Sequence, residues 1–206
     1  MHWYQWIASG AVAICLIVFA THFVRLIRLG SPKDYSKKAG SPAAGIVYSF
    51  TSAMDPRNKE SAFLHLPIYT AGIIFHIATF ASLITFFILL ANFQPGPSFQ
   101  IAAALIAFSG SLAGLIILIK RSLDKKLRWL SNPDDYISNL LVTIFQLFTG
   151  LTLLLPVLYP AYMLLAALLF LYMPVGKLKH IIYFFAARYH LGLFYGWRNV
   201  WPLRKA

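Results

Sequence analysis

Cysteine is nearly absent from this chain: Cys15 stands alone within an apolar run. It can form no internal disulfide, and no zinc or iron–sulfur site can be assembled from thiolates. The Cys-x-x-Cys-His motif that attaches haem covalently is lacking too. Carboxylates are scarce, 6 Asp and Glu against 18 Lys and Arg, and none falls inside a long apolar segment. Proton relays and ion pathways usually place carboxylates there, so a pump or cation-coupled transporter is disfavoured. The lack of an inverted repeat weighs against a small-solute transporter. A redox centre held by this chain needs ligands other than a set of cysteine thiolates.

Charge is also missing from particular places. Met1 to Trp6, Asn92 to Gln100 and Leu158 to Tyr162 carry no Lys, Arg, Asp or Glu, whereas Arg25 to Glu60, Lys120 to Asp135 and the tail from Lys177 are rich in cations. With 59% hydrophobic and 12% charged residues, the chain has too little polar surface for a soluble domain. The long apolar segments predict a single all-α membrane domain over residues 1–206, with five spanning helices near Trp3 to Leu29, Ser61 to Ala91, Phe99 to Ile119, Tyr136 to Leu155 and Ala161 to Tyr183. The alternation of cation-rich and charge-free connections orients the bundle with its N-terminus outside and its C-terminus cytoplasmic, in the inner (cytoplasmic) membrane. The first segment lacks a basic n-region and is expected to remain as an anchor. The net charge of +12 follows this topology and points to anionic membrane lipids and an acidic cytoplasmic partner rather than to nucleic acid.

Proline and glycine mark the connections. Gly30 to Glu60 contains Pro32, Pro42 and Pro56 and reads as a folded loop whose apolar middle, Ala43 to Met54, lies on the membrane surface or against a partner. Pro174 is expected to kink the last apolar run.

What remains polar at membrane depth is chiefly histidine. His65 and His76 are eleven residues apart on the second span, so they return to nearly the same face about 16 Å apart, with Tyr69 and Gly72 between them. A glycine between two imidazoles removes the side chain that would block a flat macrocycle, a reason for haem with axial imidazoles. His180 follows Gly176 by one turn, with Lys177 and Lys179 placed to meet haem propionates, and His190 lies ten residues on. Counting along the helices at 1.5 Å per residue gives depths of about 24 Å for His76, 30 Å for His180, 40 Å for His65 and 45 Å for His190. That arithmetic pairs His76 with His180 and His65 with His190, and it leaves His22 as a substitute.

Phe63-Leu64-His65, Gly72-Ile-Ile-Phe-His76 and Pro174-Val-Gly-Lys177-Leu-Lys-His180 resemble the membrane cytochrome b (gamma) subunit of respiratory nitrate reductase and its relatives that accompany heterodisulfide-reductase-like iron–sulfur proteins. The resemblance implies non-covalent haem b, one or two per chain, with His65 and His180 ligating the haem nearest the cytoplasm. It implies a second haem between His76 and a histidine 18 residues before His180, where this sequence has Tyr162. It further implies electron transfer between the quinone pool (menaquinone or ubiquinone) and a cytoplasmic iron–sulfur or flavin subunit, with no other substrate chemistry in this chain. Family members place a quinol near the outer haem beside a basic residue past the second helix; here that region offers Asn92 and Gln94. The competing expectation is a structural membrane anchor in which the histidines only bond neighbouring helices.

Overall fold

The computed structural model describes residues 2–29, 35–55 and 66–202. Among them there is no strand. The helices are α1 (Trp3–Arg28), α2 (Pro42–Phe50), α3 (Leu66–Leu90), α4 (Pro97–Leu123), α5 (Lys125–Trp129), α6 (Pro133–Leu154), α7 (Tyr159–Tyr172) and α8 (His180–Trp197). Short 3-10 turns at Ser52–Met54, Pro156–Leu158 and Lys177–Lys179 join some of them. α1, α3, α4 and α6 are long and apolar enough to cross a membrane, and α7 with α8 supplies a fifth crossing if the two form one broken span. This is consistent with a multi-pass membrane protein.

Several expected boundaries move, among them the ends of the third span, which runs from Pro97 to Leu123 rather than Phe99 to Ile119. The run from Ala161 to Tyr183 is not one helix: α7 ends at Tyr172, and α8 begins only at His180 and continues to Trp197. Pro174 explains this, because its ring clashes with the carbonyl four residues back and it offers no N–H to the ladder. α6 starts three residues before the expected Tyr136, at Pro133. Asn132 caps it through a reciprocal box, with Asp135 N–H donating to Asn132 Oδ1 at 3.1 Å and Asn132 N–H to Asp135 Oδ2 at 3.0 Å. That brings Asp134 and Asp135 into the helix's first turn. Finally, Pro42 does not break a helix but opens α2, at the position where its fixed φ suits the first turn, and the Ser41 hydroxyl accepts the Ala44 N–H at 3.3 Å.

The chain divides into two compact units. The first comprises residues 1–17 and 67–178. In it α4 turns a face of small residues inward, including Ala103, Ala107, Gly110 and Gly114. Gly110 cannot carry a side chain, since a Cβ there would collide with the Ala78 methyl and stand 2.7 Å from Gln146 Oε1. Lipid tails are as apolar as leucine, so such small-residue contacts and interhelical hydrogen bonds hold spans together. Gln146 supplies the hydrogen bonds: fully buried, its Nε2 donates to Phe75 O at 2.9 Å and Thr79 Oγ1 at 2.7 Å. Beside it Phe86, Phe145, Tyr162 and Phe170 make an aromatic core, with Phe145 and Tyr162 stacked at 5.5 Å.

The second unit comprises residues 18–66 and 179–206. Its centre is α2 laid against α8 with their backbones in contact. A Cβ on Gly45 would strike Gly192 O and lie 2.6 Å from Gly196 Cα, and one on Gly192 would lie 2.5 Å from Ile46 Cα. The Ser49 hydroxyl donates to Arg188 O at 2.7 Å along the same seam. α8 ends in a left-handed cap at Asn199 (φ 59°), with Val200 N–H donating to Tyr195 O at 2.9 Å and Asn199 N–H to Gly196 O at 3.2 Å.

Candidate functional site

α3 is apolar over nearly its whole length, and His76 sits exposed near its middle. Its Nδ1 is within 2.6 Å of Gly72 O, one turn earlier on the same helix. Since a carbonyl can only accept, Nδ1 carries the proton, and in the neutral imidazole Nε2 then keeps its lone pair for a ligand, the arrangement that metal-binding histidines commonly adopt. Among the described residues nothing lies within 4 Å of the point where a Cβ on Gly72 would be. Tyr69, a turn before Gly72, is half-buried. The open glycine and the carbonyl-locked imidazole therefore occur together, which is what a flat ligand standing against this helix requires.

The other expected ligands are placed differently. His65 lies outside the described residues. His180 and His190 are both exposed on α8, His180 as its first residue. His22 faces α8 within the second unit, its Nδ1 3.3 Å from the Tyr183 hydroxyl. Gly176 does not repeat the open space at Gly72: the Tyr172 ring occupies the position a Cβ would take. Lys177 is engaged by Asp135, a buried carboxylate that also has Arg121 Nη1 at 3.7 Å. Tyr162 is fully buried in the aromatic core and its hydroxyl accepts from Thr149 Oγ1 at 3.3 Å, so it is built as packing. Among the described residues no three His, Cys, Asp or Glu side chains gather as a metal site.

A second candidate lies at the charge-free ends of the first unit. A cleft of about 460 Å³ is bounded by His2, Tyr4, Asn92, Gln94, Gln100, Thr152 and Tyr159, with Leu89, Phe93, Pro95, Leu153 and Pro156. That volume suits a small organic ligand. α3 terminates there in a left-handed cap at Asn92 (φ 59°), with Phe93 N–H donating to Ile88 O at 3.2 Å. Gln5, fully buried, orders the wall. Its Nε2 donates to Asn92 Oδ1 at 2.7 Å and to the Tyr159 hydroxyl at 3.0 Å, and its Oε1 accepts the His2 N–H at 2.7 Å. Tyr159 passes its own proton to Leu89 O at 2.7 Å. With Asn92 Oδ1 taken, the Asn92 amide is left as a donor, while Gln100, donating to Pro95 O at 2.9 Å, keeps Oε1 as an acceptor. Thr152 Oγ1 is buried with no partner among the described residues. The lining thus offers donors and acceptors and contains no Lys, Arg, Asp or Glu.

Sequence reasoning found Asn92 and Gln94 but not Gln5, Thr152 or Tyr159, which meet them only in three dimensions. Asp135 had a readable signal, the Asn-Pro-Asp-Asp spacing of a capping box. No protein-family model, curated protein or solved structure matches this chain.

Proposed function

We propose that the chain is a haem b-binding membrane subunit of a respiratory or energy-conserving redox complex, of the nitrate reductase gamma-subunit type. In this reading it passes electrons between membrane quinone and an iron–sulfur or flavin subunit on its cation-rich, cytoplasmic face. The observation that supports it is His76, an imidazole at mid-helix in an apolar span, locked through Nδ1 by Gly72 O and standing beside open space. An isolated imidazole exposed there has no water to satisfy it, so a ligand for Nε2 stabilises the site. A bound haem would supply a one-electron centre at that depth. His76 would ligate its iron and Gly72 would leave room for the ring, while His65 and His180 remain the proposed pair for a haem nearer the cytoplasm. The cleft would take a quinone headgroup, one of its carbonyls accepting from the Asn92 amide while apolar side chains exclude water.

The second reading, a membrane anchor without haem, is favoured by two observations. Lys177 is paired with Asp135 rather than left for a propionate, and Tyr172 fills the space at Gly176. A dithionite-reduced minus oxidised spectrum with haem extraction decides between the readings. The haem reading expects absorbance between roughly 550 and 565 nm at one or two haems per chain. Intact protein lacking that absorbance rejects the haem reading and favours the anchor.

A further inference from the structure

The second unit presents cations and large apolar side chains on one rigid hairpin. α2 and α8 contain no acidic residue. Three cations on or beside them stand over aromatic rings: Lys38 over Trp197 at 5.9 Å, Arg188 over Phe184 at 5.6 Å and Arg198 over Phe194 at 3.7 Å. On the same two helices, Val47 is 63% exposed and Phe50 stacks on Phe185 at 6.2 Å with both rings exposed. The glycine seam between the helices removes the freedom to fold these groups away. Water is a poor solvent for such a surface, and a purely apolar partner is a poor one for its cations.

The hairpin's position along the chain selects the remaining solvent. His22, in the last turns of the apolar part of α1, contacts Tyr183 in the first turn of α8. α8 therefore starts level with a residue only a few positions from where that span reaches Arg25 and Arg28. Arg and Lys stems run along apolar surface while their heads reach phosphate, and aromatic rings favour the same depth. We infer that the α2–α8 hairpin lies in the membrane interface at the cation-rich end of α1, with Lys38, Arg188 and Arg198 binding headgroups of anionic phospholipid. This is independent of haem binding and of which side of the membrane is cytoplasmic.

Spin labels on the full chain test it, in a Cys15→Ser background reconstituted into vesicles. Labels at Val47→Cys and Leu191→Cys are compared with one at Ile84→Cys, an exposed position of α3. In vesicles containing phosphatidylglycerol both hairpin labels should be relaxed more by oxygen than by an aqueous nickel chelate, as at Ile84. In phosphatidylcholine alone, or with Lys38, Arg188 and Arg198 changed to Gln, nickel access at Val47 should rise by about fivefold or more, the factor carried by one lost cation–lipid contact. Labels open to nickel in both lipids would overturn the inference and assign the surface to a protein partner. Labels in lipid but indifferent to headgroup charge would overturn headgroup binding. If the triple variant does not fold, the comparison of the two lipids on the unaltered cations decides alone.

Discussion

Gly72 separates what the protein needs for itself from what it holds for a ligand. A helix-interior glycine normally costs about 0.5–1 kcal/mol relative to alanine, and it persists where a side chain would collide with something. Among the described residues there is no such collision, since none of them lies within 4 Å of the Cβ position. Gly72→Ala should therefore leave the fold as stable as before or up to about 1 kcal/mol more stable, and Gly72→Leu should also be tolerated by the protein alone. The haem reading adds the opposite demand. A leucine one turn before His76 projects into the space a macrocycle bound by Nε2 must occupy, and an overpacked site loses about 1–3 kcal/mol, or roughly 5- to 150-fold in affinity. The assay is haem per chain on purified Gly, Ala and Leu variants, beside thermal unfolding of the haem-free protein. Expected is unchanged or raised haem-free stability with haem occupancy falling from Gly to Leu. A Leu variant with full His76-dependent haem would refute the reasoning about this face. A haem-free Leu variant much less stable than the parent would show that Gly72 serves packing.

Gly45→Ala should act in the reverse way, because its Cβ meets the Gly192 and Gly196 backbone rather than movable side chains; a loss of about 3 kcal/mol is expected in denaturant unfolding, with early protease cleavage near α2. Asp135→Ala removes the carboxylate that Lys177 and Arg121 share as well as half of the capping box. With the Lys177 side chain 54% exposed, the pair is worth less than a buried one, so about 2–3 kcal/mol in total should be lost, with a lower Tm. Gln5→Leu frees Asn92 and Tyr159 from their shared partner; on the quinone reading it raises KM for quinol with haem content unchanged, and unchanged KM would remove the cleft from the reading. His65→Ala and His180→Ala should each abolish the same haem; loss of one haem by each separately would favour the depth-based pairing.

Much of the architecture is legible in the sequence because a bilayer imposes one simple demand, about 20 apolar residues per crossing. α1, α3, α4 and α6 follow from that, and their ends follow from Asn132, Pro133, Pro97 and the left-handed Asn92. Proline is read less well. The same residue type opens α2 at Pro42 and interrupts the run at Pro174, and the difference lies in the capping Ser41 before the first. The Gly45 and Gly192 to Gly196 spacing was visible but has no meaning until α2 is known to be a helix. Gln5 meets Asn92 and Tyr159 across 87 and 154 residues, and no local pattern encodes such a meeting. At Gly176 the expected opening is closed by Tyr172, four residues earlier, a rotamer choice that spacing alone does not determine.

The central claim is that His76 presents Nε2 to a haem iron. The most direct measurement is the low-temperature electron paramagnetic resonance spectrum of the oxidised protein in its native membrane, recorded with and without His76→Ala. The account predicts a ferric haem signal in the parent of which the His76-dependent component is lost or changes spin state in the variant, while the component held by His65 and His180 persists. A parent devoid of ferric haem signal, or a variant with an unchanged spectrum, would contradict it.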